Sequence, residues 1–110
     1  MYDPFGQTMI HKSAALGHCE IMMLLLERTG AKPDLVNAQL ATPLHLACKH
    51  NRLDIARFLI GCGVDANCQD EHGQTPLLLC CIHGNFDLAS ILIEASIAGH
   101  LTEPLEVDSP

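Results

Sequence analysis

Seven histidines and six cysteines are the residues of this 110-residue chain with the most chemistry to offer. Cys80, Cys81 and His83 form the densest cluster, and His45 and Cys48 stand three residues apart. Zinc would call for a Cys-x2-Cys pair, with a His-x3–5-His arrangement tied to it. No such pair occurs. Adjacent cysteines on a helix point ~100° apart, so Cys80 and Cys81 are poorly placed to share one ion. A nucleophilic Cys–His pair needs an activated thiolate in a pocket. Cys48 and Cys81 fall instead at positions where helices pack. The chain also lacks a glycine-rich phosphate loop, a Ser-His-Asp order and a paired-carboxylate pocket. The sequence therefore predicts no enzyme, no cofactor and no bound metal. A redox- or metal-responsive role for Cys80, Cys81 and His83 stands as the rival reading.

The elements around these residues repeat. Thr42-Pro43-Leu44-His45-Leu46-Ala47-Cys48 recurs as Thr75-Pro76-Leu77-Leu78-Leu79-Cys80-Cys81 and, earlier, as Thr8-Met9-Ile10-His11-Lys12-Ser13-Ala14. A period near ~33 residues signals stacked supersecondary units. Each unit divides into a turn, a short helix, a second helix and an exit turn. The units span about 3–33, 34–69 and 70–101, as one domain, and an acidic, irregular tail of 102–110 follows. Thr8, Thr42 and Thr75 are placed to cap the first helices, and Asp3 to Gln7 reads as the first turn. Glu20, Asp54 and Asp87 share one phase, the first turn of each second helix. A carboxylate there faces the positive end of the macrodipole, worth roughly 0.3–1 kcal/mol. The inward faces read as Ile21, Leu24 and Leu25; Ile55, Phe58 and Leu59; and Leu88, Ile91 and Leu92. The last second helix is expected to run from Asp87 to about Ser96, with Gly99-His100 ending regular structure.

The composition is 48% apolar but only 4% aromatic. That suits Leu, Ile and Ala packed between helices. A net charge of −7 argues against nucleic acid, which needs clustered Lys and Arg, and against an anionic membrane surface. With no visible signal peptide, the cysteines read as reduced thiols, and the chain as cytoplasmic or nuclear.

The Thr-Pro-Leu-His phrase, its period and the Gly63-Val64-Asp65-Ala66-Asn67 exit resemble the ankyrin repeat through nearly the whole chain. The resemblance implies an all-α ankyrin-repeat solenoid of helix-turn-helix units joined by β-hairpin-like finger turns. It also implies a scaffold that binds a protein or peptide through a concave groove and its fingers. The variable concave positions fall on Phe5, Gln7, Ala38, Gln39, Ala41, Glu71, His72 and Gln74 of the turns. On the helix ends they fall on Leu16, Lys49, His50, Ile82 and His83. Leu40 stands where Gly6 and Gly73 supply the turn glycine, and is a candidate contact. Leu78 replaces the motif histidine found at His11 and His45. Asn67 matches an exit-turn asparagine that the family can hydroxylate; a turn asparagine bonding its own backbone is the bland alternative. The third unit is rich in apolar residues, among them Phe86, Ile93, Ile97 and Leu101. Either the tail folds back as a lid, the end dimerises, or the chain is a segment of a longer array. The last is favoured, with the chain otherwise a monomer. Such a module can also be the adaptor segment of a larger multidomain enzyme.

Overall fold

The computed structural model describes the backbone of residues 4–101 and the side chains of residues 9–96. Six helices follow one another: α1 (Pro4–Leu16), α2 (Cys19–Thr29), α3 (Pro43–His50), α4 (Leu53–Gly61), α5 (Pro76–His83) and α6 (Phe86–Leu101). Each odd helix pairs with the next even one, and each pair packs only on its neighbours. Thus α3 lies between α1 and α5, and α4 lies between α2 and α6. The result is an all-α repeat solenoid with extents of 51 × 28 × 23 Å.

Local chemistry sets most helix boundaries. Thr42 is extended (φ −90°, ψ 167°), as a residue before proline must be. Its Oγ1 accepts the His45 N–H at 3.3 Å, and its own N–H donates to His45 Nδ1 at 3.1 Å. Pro43 follows as the first helical residue, where its missing N–H costs nothing. Thr75 and Pro76 start α5 in the same way, with Thr75 Oγ1 accepting the Leu78 N–H at 3.2 Å. Left-handed Asn51 (φ 59°) and Gly84 (φ 71°) end α3 and α5. Glu20, Asp54 and Asp87 occupy the first turns of α2, α4 and α6.

The first pair departs from expectation. Residues 4 to 7 form no turn, and Thr8 lies inside a helix rather than at its start, because α1 runs unbroken from Pro4 to Leu16. Met9 stands where the other copies have proline, so no ring forces Thr8 out of the helical region. Phe5 and Gln7 therefore lie within a helix rather than on a finger. At the other end α6 passes Ser96 and continues to Leu101. The side chains of Ile97 and Leu101, and the tail 102–110, lie outside the described residues.

One core joins the pairs. Ile10 and Ala14 of α1, Met22 of α2, Leu44, Ala47 and Cys48 of α3, Ile55, Ala56 and Leu59 of α4, Leu79 and Cys80 of α5, and Leu88 and Leu92 of α6 form a single buried cluster. Small residues at Ala14, Ala47 and Cys80 let the first helices approach closely. The thiols of Cys48 and Cys80, both buried, come together across the α3–α5 seam. Two expected inward residues of α2 are not buried: Ile21 and Leu24 are each 49% exposed, and Met22 fills the core instead. Ile55, one period after Ile21, is fully buried. It has helix pairs on both sides, whereas α1–α2 has one on a single side among the described residues.

Candidate functional site: a groove between two fingers

Two hairpin turns project between the helix pairs, and one carboxyl or amide oxygen organises each. In residues 37–41, Asn37 Oδ1 accepts the N–H groups of Gln39 and Ala41 at 2.9 and 3.0 Å. The Asn37 N–H closes the turn on the Ala41 carbonyl at 3.0 Å. In residues 70–74, Asp70 Oδ1 accepts from His72 and Gln74, each at 2.9 Å, and the Asp70 N–H donates to the Gln74 carbonyl at 3.0 Å. The fourth residue of both turns is left-handed. Gly73 (φ 73°) takes that conformation freely; Leu40 (φ 61°) takes it against its Cβ. A Glu71 N–H to Gln39 carbonyl bond of 2.9 Å joins the two tips edge to edge.

Histidines fix the fingers to the helices. His11 Nε2 lies 3.0 Å from the Ala41 carbonyl and 3.2 Å from that of Leu35. His45 Nε2 lies 2.9 Å from the Gln74 carbonyl. The motif histidine of one pair thus ties down the finger of the next. Leu78 holds the equivalent position in α5, half exposed, with no such bond to offer. A second set of ties runs backwards. Arg52 Nε donates to the Ala15 carbonyl at 2.8 Å, and Asn85 Nδ2, one period later, donates to that of Cys48 at 2.6 Å.

Between the fingers and helices α3 and α5 lies a groove of about 350 Å³. Seven predicted contact residues line it: Gln39, Lys49, Glu71, His72, Gln74, Ile82 and His83. Leu46, Leu79 and Ile82 supply its apolar floor, and Asp70 and Glu71 its acidic finger wall. Lys49 and His83 stand at the far helix ends. Ala41 is also in the wall, but it is buried, not a projecting contact. Ala38 and Leu40 are exposed on the fingertip beyond the groove, and His50 is exposed beside its helical end. Leu16 is exposed elsewhere, in a separate hollow with Asn51 and Arg52. Sequence reasoning missed Asn37, Asp70, Leu46 and Leu79. The signal for the first pair was their 33-residue separation at the head of each turn.

The charges in the groove have identifiable causes. Burial pushes the Asp70 carboxyl up, but the N–H groups of Gln74 and His72, with His45 and His72 nearby, outweigh it and hold the carboxyl below its ordinary value. Partial burial, then Lys49, Arg52 and His83, holds His50 below its ordinary value, so it is neutral near pH 7. His72 Nε2 and Glu71 Oε2 are 3.5 Å apart but well exposed, which makes the pair weak. The rival cluster is not assembled: Cys80 turns into the core toward Cys48, while Cys81 and His83 face outward. Among the described residues, no three His, Cys, Asp or Glu side chains are grouped to hold a metal ion. No helix there is long and apolar enough to cross a membrane.

A family profile described as ankyrin repeats (3 copies) matches residues 1–70, and a second, described as ankyrin repeat, matches residues 72–99. The chain belongs to the ankyrin repeat family. Ankyrin repeats generally mediate protein–protein interaction, and domains built from them are typically non-catalytic. Ankyrin relatives include the Nuclear factor NF-kappa-B p105 subunit of Gallus gallus, 33% identical over 73 residues, which are 64% of this chain and 7% of that one. Protein phosphatase 1 regulatory subunit 27 of Homo sapiens is 34% identical over 70 residues, 64% of this chain and 45% of the relative. E3 ubiquitin-protein ligase XB3 of Oryza sativa subsp. japonica is 39% identical over 67 residues, 61% of this chain and 14% of the relative. The ankyrin chain matches less than half the length of each.

Proposed function

We propose that residues 1–101 act as one ankyrin-repeat domain, a non-catalytic scaffold that captures a partner protein or peptide in the groove between fingers 37–41 and 70–74. The observation that carries this reading is the convergence of seven variable concave positions on one open groove with an apolar floor and polar walls. An apolar anchor from the partner suits Ile82, which is 55% exposed, and the polar walls suit its flanking backbone. Leu40, on the adjacent tip, is a second apolar contact. The net charge of −7 directs the choice away from nucleic acid and anionic membranes. Six free cysteines suit a cytoplasmic or nuclear setting. Two of the relatives, a phosphatase regulatory subunit and a ubiquitin ligase, suit an adaptor role, including one inside a larger enzyme. Asn67 is exposed, with its N–H held by Asp65 Oδ1 at 2.9 Å, which leaves its side chain presentable for hydroxylation.

Affinity capture from a cell extract tests the groove. The native chain is compared with an Ile82→Asp/His83→Ala variant checked for unchanged helicity. A protein retained only by the native chain is the expected result. Equal retention by both chains would overturn the groove as the binding surface.

A further inference from the structure

The two fingers that flank the groove are built on one plan but do not carry the same charge. Asn37 and Asp70 head them one period apart, and each Oδ1 accepts two backbone N–H groups of its own turn. A neutral amide therefore suffices to hold the turn, and the carboxylate of Asp70 adds a charge that the turn does not need. The next two positions repeat the contrast, with Ala38 and Gln39 on the first finger and Glu71 and His72 on the second. Negative charge is thus concentrated on one wall of the groove, at Asp70 and Glu71.

That wall has no permanent counter-ion. Of the six lysines and arginines, only Lys49 lines the groove, and it stands at the helical end, away from the fingers. Among the described residues, the only ion pair at the wall joins His72 Nε2 to Glu71 Oε2 at 3.5 Å, and it is charged only when the ring is protonated. The wall is also held in place. Two N–H bonds fix the Asp70 carboxyl, and the Glu71 N–H to Gln39 carbonyl bond ties the two tips together. A cation arriving there meets a wall already formed, so little ordering is left to oppose binding. Beside it lies the apolar floor of Leu46, Leu79 and Ile82.

We propose that the groove selects partner segments in which a lysine or arginine neighbours an apolar anchor, the cationic head facing Asp70 and Glu71 and the anchor seated against Ile82. This rests on the groove as the capture surface and adds the chemistry of its occupant. Both halves of a long basic side chain are matched, because its aliphatic stem lies on the apolar floor while its head reaches the acidic wall. An aspartate or glutamate in the same place meets like charge and is rejected. Lys49 at the opposite end gives the groove a direction, which turns the basic side chain toward the fingers. The pairing charges stay partly in water, so added salt weakens the contact.

A display library of random linear peptides tests this, with peptides of about twelve residues, long enough to lie in the groove extended or as about three helical turns. It is selected against the native chain, an Asp70→Asn/Glu71→Gln variant and Ile82→Asp, each checked by circular dichroism. The double variant keeps an acceptor oxygen for the finger N–H groups, and Glu71→Gln alone, at an exposed side chain, is a second variant that leaves Asp70 in place. The native chain should enrich lysine or arginine beside Leu, Ile, Met or Phe. The double variant should keep the apolar preference and lose the basic one, and Glu71→Gln should lose part of it. The best native peptide should bind the double variant roughly threefold more weakly by fluorescence anisotropy. Enrichment of apolar peptides without a basic residue, or a basic preference that survives in the double variant, would overturn the proposal and leave the groove reading standing. Selection unaffected by Ile82→Asp, or no enriched peptide at all, would overturn the groove reading and the proposal with it.

Discussion

The Nε2–H of His45 donates to the carbonyl oxygen of Gln74, 2.9 Å away and 29 residues along the chain. A carbonyl oxygen only accepts, so Nε2 carries the proton. The Thr42 N–H donates to the opposite ring nitrogen, so Nδ1 is bare. Both contacts together select one neutral tautomer. A single buried ring then caps its own helix and anchors the next finger, which connects local capping to the shape of the groove.

His45→Ala should cost about 3 kcal/mol, because it opens a cavity and leaves the Thr42 N–H and the Gln74 carbonyl without that partner. Leu78→Ala, at the equivalent but half-exposed position, should cost under about 1 kcal/mol. Urea unfolding of both variants checks the ranking.

Leu40→Gly should stabilise the chain. A left-handed non-glycine residue costs roughly 1–2 kcal/mol, and glycine returns roughly 0.5–1 kcal/mol of that as unfolded-state entropy. A net gain of about 0.5 kcal/mol is expected, seen as a higher urea midpoint with an unchanged slope. If Leu40 is held in this conformation for contact, the same variant should capture less partner.

Cys48 and Cys80 should be the slowest thiols to react with a disulfide reagent in the native state, and exposed Cys62 and Cys81 the fastest. Burial, then the neighbouring Cys80, pushes the Cys48 thiol far up, so almost no thiolate is present. An acid whose folded value is raised stabilises the fold fully below its unfolded value. Stability should therefore fall as pH climbs past the ordinary thiol value of 9.0. Cys48→Ala should flatten that alkaline slope, as read by thermal melts between neutral and high pH.

Asp70 should make the opposite contribution. Its folded value is depressed, so its stabilisation is complete above the ordinary carboxylate value of 3.8 and is lost as pH falls below it. Asp70→Asn keeps an acceptor oxygen for the His72 and Gln74 N–H groups while removing the charge. It should retain most stability near pH 7 and lose part of the acid dependence. Asp70→Ala should cost about 1 kcal/mol at neutral pH, because both finger N–H groups lose their acceptor.

Much of this fold was legible as text because its signals are local. Thr42-Pro43 and Thr75-Pro76 specify an extended residue followed by a helical one, whatever surrounds them. Asn51 and Gly84 stop helices through their own backbone freedom. The groove was legible in part: the repeat places Gln39, Glu71, His72, Gln74, Lys49, Ile82 and His83 on one side. Leu46 and Leu79 went unnoticed because, in one dimension, a groove floor reads like any other core leucine. Leu16 was misplaced for the opposite reason. It shares its phase with His50 and His83, yet the hollow it lines with Asn51 and Arg52 lies outside the groove.

By itself, the sequence determined the period, the helix starts at Pro43 and Pro76, the carboxylates at the second-helix starts and the ankyrin architecture, all of which depend on spacings of a few residues. Only the tertiary structure decided that Ile21 is exposed while Ile55 is buried, that Cys48 meets Cys80, and that His45 reaches Gln74. Repeat-equivalent residues have the same local preferences but different neighbours. Burial and long-range hydrogen bonding belong to the neighbours, so they appear only once the helix pairs are stacked.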